Sequence, residues 1–476
     1  MTAGWAEWPL RRRSPSTAPT TDNRSEARRP PAGPRNPGAG GAPSPPAPSE
    51  LEESPVAPAA PTTAVGTRTV VSHLSRLRSP KGQADPLPHY RDLRELGPVL
   101  PTPWGGHLVT RHALVDSVLR SRKWRTTDSA WKERQDSDRW NGFAQQELSR
   151  TLQGLNSPHH TRHRRSIGNV FDRATLAGLH AVVAGTVDGL LDTLQDRVAE
   201  EGDADFGSLV GDQLPIEVIG SWLDLPRADY PKLLWLTHEH VVCQELLPTA
   251  TALAGADRAA EGLRDYFTEV IRDRRAHPRD DVISGWLRTW DAMEEDREQA
   301  DAAVFYLLMF LFVASVETTA TLMPTMVHLL DRHRDQWRAV VADPDLAPAA
   351  VEEVLRYDPP IHMAGRVAAR DTELGGVLIP KDAMVHLMIG SANHDPDHHR
   401  DPATFDIHRT GERISLHLAF GGGAHFCVGA ALARQEATLL LRGLAERFPG
   451  LHVTAPPQYA QRVAFRRLTG MRVSTG

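Results

Sequence analysis

Cysteine is nearly absent from the 476 residues: there are two, Cys243 and Cys427. Two cysteines exclude a disulfide framework, so a reducing, cytoplasmic location is expected. Aromatic residues are sparse at 6%. Neither sign of charge dominates, because 54 Lys and Arg stand against 60 Asp and Glu, a net of −6. That balance excludes the basic surface of a nucleic-acid binder. No apolar run reaches the roughly 20 residues of a membrane span. The longest, from Ala302 to Ala314, reads as a buried core helix. Arg11, Arg12 and Arg13 are followed by no apolar segment, so no secretory signal is expected. No internal repeat is present, which excludes solenoids and propellers.

What remains is an ordinary globular composition, 40% hydrophobic and 24% charged, in a chain long enough for one large or two ordinary domains. Residues 1–68 stand apart. Fourteen of the 37 prolines precede residue 62, and Trp5 and Trp8 are the only aromatics there. Such a stretch buries too little apolar surface to offset its ordering entropy, so a disordered tail is expected, with residues 69–476 as the folded domain. Within that domain, Asp85–Pro98 reads as a capped helix stopped by Gly97-Pro98, and short strands are expected near Leu108–Thr110. Helical periodicity dominates from Glu147 to Tyr357. Between Glu373 and Pro396, Gly-Gly and Ile-Pro punctuate alternating apolar residues, the pattern of strands and turns. Gly429–Gly450 is again helical. The expected fold class is mainly α with a small β portion.

The stretch FGGGAHFCVG, Phe420–Gly429, concentrates the chemistry. Cys427 lies just before a helix, where outward N–H groups and the helix dipole favour a thiolate. Three glycines allow a flat ligand close to the backbone. A thiolate among amide donors suits a metal, iron included. The plainer reading is a buried structural cysteine. A zinc site from His417, His425 and Cys427 lacks paired-cysteine spacing. A phosphate loop lacks its Gly-Lys-Ser/Thr, and covalent heme attachment lacks C-x-x-C-H.

The longer stretch FGGGAHFCVGAALAR, Phe420–Arg434, resembles the heme-binding signature of the cytochrome P450 family, F-G-x-G-x-H-x-C-x-G-x-x-L-A-R, at every specified position. The resemblance covers roughly residues 84–474. It implies the family's fold, with heme b between an oxygen-activation helix and the cysteine-loop helix. Cys427 becomes the axial iron ligand. Phe420 packs beside the sulfur, Gly421 belongs to the cradle, His425 meets a propionate and Gly429 permits close approach of the ring.

Three distant constellations match the same family. In EEVLRYDPPI, Glu353 and Arg356 share a helix face. Alone they read as a solvated surface pair; by the resemblance they are the buried structural E-x-x-R pair, locked by Phe405–Arg409. In FLFVASVETTATLM, Glu317 and Thr318 interrupt an apolar helix, which is costly without partners. Packing or capping is the plainer reading; the resemblance implies proton delivery to iron-bound dioxygen, with Ala314 leaving room. Ser315 stands where the family usually has Gly, which predicts an altered helix bulge. In HHTRHRR, His160 and Arg164 lie at i,i+4; a basic solvated face is the plainer reading, and the resemblance implies a grip on the propionates, joined by Arg366.

The function so implied is a heme-thiolate monooxygenase that oxidises a hydrophobic small molecule with dioxygen, in specialised metabolism. Electrons are expected from a separate ferredoxin and its reductase, with Arg162 and Arg165 candidates for docking the donor. The chain is expected to be a monomer. Substrate-pocket candidates are Phe310, Val313, Ala314, Ile361, His362 and Met363, with a loop at Trp140–Phe143 closing the top. Two alternatives stay open: a heme-thiolate enzyme of another outcome (aryl coupling, ring formation, desaturation), and a heme-binding sensor without turnover.

Overall fold

The computed structural model describes residues 66–476 apart from 136, 169–170 and 410–416. The expected tail lies outside the described residues as far as position 65. Its boundary shifts, because helix α1, Thr67–Arg78, begins inside the segment assigned to it. Val70, Leu74 and Leu77 recur at helical spacing there and bury one face. Helix α2, Leu87–Leu96, follows the expected capped stretch and stops at Gly97, whose φ of 152° suits glycine.

Helix α3 (His112–Arg120) and helix α4 (His159–Ile167) precede the long helix α5 (Arg173–Glu201). Asp172 starts α5 by accepting from the Thr175 N–H, and left-handed Gly202 ends it. Then come α6 (Tyr230–His240), α7 (Ala250–Ala276), α8 (Arg297–Arg332), α9 (Ala347–Tyr357) and α10 (Ala430–Arg447). The main sheet has five strands: β1 (Val99–Pro101), β2 (His107–Val109), β3 (Trp124–Arg125), β4 (Met363–Ala368) and β5 (Met384–Met388), in the order β1-β2-β5-β4-β3. Only β2 and β5 run parallel; Arg366 of β4 sits opposite Val385 of β5. A small hairpin, Thr372–Leu374 with Val377–Ile379, uses the Gly375-Gly376 turn at φ 57° and 81°.

Helix α8 runs through the centre. Its N-terminal half, including Leu307, Phe312 and Val316, belongs to one apolar cluster. Its C-terminal half, including Leu322, Met326 and Leu330, belongs to another. A helix covered on all sides is apolar all round. By length and composition, α5 and α8 are both long and apolar enough to cross a membrane. Two-thirds (67%) of the α8 window is buried inside protein, the core helix the Ala302–Ala314 run predicts. Helix α5 instead buries a single stripe, Val183, Val187, Leu191 and Leu194, in the second cluster with residues of α10.

The Glu353–Arg356 pair is fully buried, with Nε–Oε2 and Nη2–Oε1 both 2.7 Å. The remaining Arg356 donors reach the carbonyls of Asn393, Pro402 and Thr404. Glu353 also accepts from the Asp406 N–H at 2.9 Å and Arg409 Nε at 3.1 Å, so Phe405–Arg409 closes over the pair as expected. Removing one partner leaves the other charge buried and alone. Glu353→Ala is expected to destabilise the fold by about 3–5 kcal/mol in denaturant titration and to lower the yield of folded protein. A loss below about 1 kcal/mol, the scale of a surface pair, would contradict this assignment.

Candidate functional site

The cysteine loop is shaped by two left-handed glycines, Gly421 at φ 70° and Gly423 at φ 65°. A Cβ on Gly423 would come within 2.4 Å of the Leu119 carbonyl, so the end of α3 presses directly on the loop. The Cys427 N–H donates to the Phe420 carbonyl at 3.0 Å, folding the loop back on itself. The ring of Phe420 lies under the Arg434 guanidinium, 4.5 Å away.

One cavity gathers most of the sequence-derived site, with an empty volume of about 1780 Å³ counting its open mouth. Cys427, His425, Phe420, Gly421 and Gly429 line it from the loop. His160, Arg164 and Arg366 line it from α4 and β4. Glu317, Thr318, Ala314, Val313 and Phe310 line it from α8, and Ile361 from the chain before β4. Residues more than 250 positions apart in sequence thus share one space.

His362 and Met363 do not line it and are withdrawn as pocket candidates. The His362 ring turns to Tyr90 of α2 and to Asp358, its Nε2 lying 2.9 Å from Oδ1. Met363 packs with Met388, Val463 and Phe465. Trp140 and Phe143 are also elsewhere: Trp140 packs on Trp131, and Phe143 lies under Arg264. Leu148, Leu152, Val241 and Gln244 line the cavity instead, and Gln153 donates to Gln244 at 2.5 Å. Arg162 is occupied by Glu294 at 2.9 Å and stacks over Trp290, which removes it as a free docking cation; Arg165 is exposed. Ser315 lines the cavity, and α8 continues through it as regular helix without the predicted bulge.

The electrostatics differ from the simple expectation at Cys427. Burial pushes the thiol up, although the amides of Gly429 and Ala430 and the guanidiniums of Arg164 and Arg434 favour the thiolate. The desolvation of a sulfur inside the fold outweighs the helix terminus. A coordinated metal ion itself holds a thiol deprotonated. Arg366 carries the clearest sign of a missing partner. Burial alone pulls it down to about 10, and its side chain donates only to the Gly365 carbonyl among the described residues. Neither Arg366 nor Arg164 has a carboxylate partner among the described residues. Two cations aimed into a cavity beside a cysteine suit a planar dianionic group with a metal centre. A Cβ on Gly429 would meet nothing within 4 Å, so its cavity side is open. The donor set therefore fits heme: Cys427 would hold the iron, and Arg164, Arg366, His160 and His425 would be available to the propionates. Burial and the nearby Arg366, His160 and Arg164 hold His425 neutral, at about 3.

Helix α8 carries two polar features. Thr318 Oγ1 donates to the Ala314 carbonyl at 2.7 Å. Glu317 is held by His238, by Arg462 at 2.8 Å and by Arg467 at 3.7 Å. Burial disfavours its carboxylate, but these partners win and hold it at about 2. Sequence reasoning missed these partners, which lie 79 to 150 residues away. It also missed Glu436 on α10, buried against Thr319 and pushed up to about 8 by desolvation. The available signal was a carboxyl at i,i+4 between Leu432 and Leu440 on the helix's buried face.

Glu436 is protonated in the fold at neutral pH, while its ordinary value in the unfolded chain is near 4.5. The folded state therefore binds the extra proton between those values, and stability falls as pH rises through that window. Glu436→Gln, which keeps shape without the charge, is expected to become the more stable protein by a margin that grows from pH 5 to pH 8, by denaturant unfolding. A pH-independent difference would show the carboxyl to be ionised at neutral pH.

The sequence matches the family model for cytochrome P450 over residues 247–461. It is 33% identical to cytochrome P450 107B1 of Saccharopolyspora erythraea over 74% of this chain and 84% of that protein. It is 32% identical to cytochrome P450 monooxygenase PikC of Streptomyces venezuelae, over 79% of this chain and 86% of that one. Among solved structures, P450BioI in complex with an acyl carrier protein ligated to hexadec-9Z-enoic acid superposes with a TM-score of 0.75 at 27% identity, covering 83% of this chain and 99% of that one. CxnD, a P450 for C–S bond formation in chuangxinmycin biosynthesis, gives 0.72 at 30% identity, covering 82% and 94%. With a cysteine loop, two arginines that have no carboxylate partner among the described residues, and a polar step in the central helix, all facing one cavity, the chain belongs to the cytochrome P450 family of monooxygenases, whose cofactor is heme b.

Proposed function

We propose that the protein oxidises an apolar small molecule of specialised metabolism, in the cytoplasm, using dioxygen and electrons from a separate ferredoxin and reductase. The observation that carries this reading is the shared cavity of Cys427 and the Ala314–Thr318 turn, walled otherwise by Phe310, Val313, Leu148, Leu152 and Val241. Apolar walls with few polar groups select a hydrophobic ligand. Relatives support the metabolic setting: a similar protein of Bacillus subtilis, 31% identical over 67% of this chain, is named for polyketide biosynthesis.

Bound heme supplies dioxygen activation, with the Cys427 sulfur as electron donor to the iron. The chain's own residues do the rest. Ala314 keeps the helix surface low beside the Thr318 hydroxyl. The Thr318 hydroxyl donates to the Ala314 carbonyl, which leaves the Oγ1 lone pairs to accept a hydrogen bond from the cavity side. Glu317 is held ionised by His238, Arg462 and Arg467, next to Thr318 at the cavity wall. Arg164 and Arg366 would neutralise the carboxylates of the cofactor.

A second reading has one specific support. CxnD, at 30% identity, is a P450 for C–S bond formation, so a non-hydroxylating outcome in the same cavity is a real alternative. Product mass separates the two: a gain of one oxygen atom marks insertion, and loss of two hydrogens marks coupling or desaturation.

The reduced carbon-monoxide difference spectrum is expected to show the thiolate-ligated Soret band in the wild type and to lose it in Cys427→Ala. A band retained in the variant would overturn the ligand assignment. Thr318→Ala is expected to keep ligand-induced spectral shifts while product formed per dioxygen consumed drops about a hundredfold, the low end of the range for loss of a proton-transfer group. Unchanged coupling would remove Thr318 from the proton route.

A further inference from the structure

Away from the heme cavity, α1 and α2 face each other at the edge of a third apolar cluster, formed by Val70, Leu74, Leu77, Tyr90 and Leu93. On α2, His89 and Asp92 are three residues apart and share a face. On α1, His73 lies between Val70 and Leu77 in the stripe turned to that cluster. His73 Nδ1 lies 3.9 Å from Asp92 Oδ2, and one donor atom from each of the three side chains lies within 4.8 Å of the others. All three residues are half-buried. The Nδ1 atoms of His73 and His89 are shut off from solvent and have no hydrogen-bond partner among the described residues.

Two shielded nitrogens without partners, converging with a carboxylate, form a costly arrangement for a protein to build unoccupied. We propose that His73, His89 and Asp92 form a binding site for a divalent first-row transition ion, zinc in the first instance, that ties α1 to α2. Two imidazoles and one carboxylate suit zinc, cobalt, nickel or copper, and disfavour calcium and magnesium, which take oxygen ligands. Zinc bonds of about 2.0–2.2 Å place tetrahedral ligands roughly 3.3 Å apart. The present spacings close to that by rotation of the two imidazoles and the Asp92 side chain. Arg91, 3.6 Å from Asp92 Oδ1 and 65% exposed, has free solvent to swing into.

The site bears on the cavity through packing. The cluster under α1 also holds Val241 and Phe465, with Ile361 against it, and those three residues line the heme cavity. An ion joining α1 to α2 therefore stiffens the layer behind the substrate wall. The chain has a second histidine group, His112, His398 and His399. There the rings of His112 and His398 stack face to face at 3.4 Å with an 8° tilt, so their in-plane lone pairs run side by side and do not converge. That group serves as the internal control.

The test is equilibrium dialysis of untagged holoprotein against Zn²⁺, followed by elemental analysis with heme iron as the count of folded chains. Wild type is expected to hold one zinc per iron. His73→Ala and His89→Ala are expected to bind zinc at least tenfold more weakly, and Asp92→Asn more weakly than wild type, each with an intact carbon-monoxide spectrum. His399→Ala is expected to bind as wild type does. Added zinc is expected to raise Tm in wild type and leave it unmoved in His89→Ala. Zinc that stays unbound at about 100 µM free ion, or zinc retained by both His73→Ala and His89→Ala, overturns the proposal; its loss in His399→Ala alone assigns the ion to the other group.

Discussion

The guanidinium of Arg356 is the constraint on which the heme loop depends. It cannot leave the interior without abandoning Glu353, and it holds the Asn393 carbonyl at 3.0 Å. The Asn393 side chain in turn accepts from the Leu418 N–H at 2.8 Å. The Leu418 carbonyl accepts from Gly421, and the Phe420 carbonyl from Cys427. A short relay of hydrogen bonds thus runs from the buried ion pair to the cysteine. Glu352, the next residue, grips Arg434 at 2.6 Å and His417 at 3.2 Å. Adjacent acids on α9 therefore fix both the chain entering the loop and the helix leaving it. A buried charge pair is weak evidence for net stability. Its value here is placement: the partners of Arg356 are backbone carbonyls, which only one path of the chain can present.

The same logic sorts the two carboxyls flanking the central helix. Glu317 and Glu436 are both buried, and both lie beside the cavity. Burial alone pushes each towards the neutral form. Glu317 is surrounded by His238, Arg462 and Arg467, and stays ionised. Glu436 has a hydroxyl for company, Thr319, and stays protonated. Two groups with the same chemistry, supplied by different helices, thus end in opposite states, one next to Thr318 in the chain and the other bonded to Thr319. Neither state follows from residue type or local spacing, because the deciding cations come from α6 and the C-terminal segment.

The errors of local reasoning share a cause. His362 and Met363 sit next to a true lining residue, Ile361, yet are taken up by partners on α2 and in the C-terminal segment. Cys427 was expected to have a lowered thiol pKa from its place at a helix terminus, but the depth of the loop reverses the direction. Arg162 is drawn away by Glu294, which lies 132 residues on. In each case the missing quantity is a long-range neighbour, which periodicity and motif spacing do not encode.

What the sequence determined by itself is the set of groups and their local framing. A single cysteine after three glycines, a Glu–Arg pair at one helical turn, an acid–alcohol step in an apolar helix and a His–Arg pair at i,i+4 are all written as short-range patterns. Short-range patterns follow from covalent geometry and the 3.6-residue period. The mainly helical fold with its small sheet was legible for the same reason. Only the tertiary structure decided which charges meet, which carboxyl keeps its proton, which side chains face the cavity and which histidines converge on one point. Those outcomes depend on burial and on contacts across hundreds of residues, where desolvation and ion pairing outweigh every local preference.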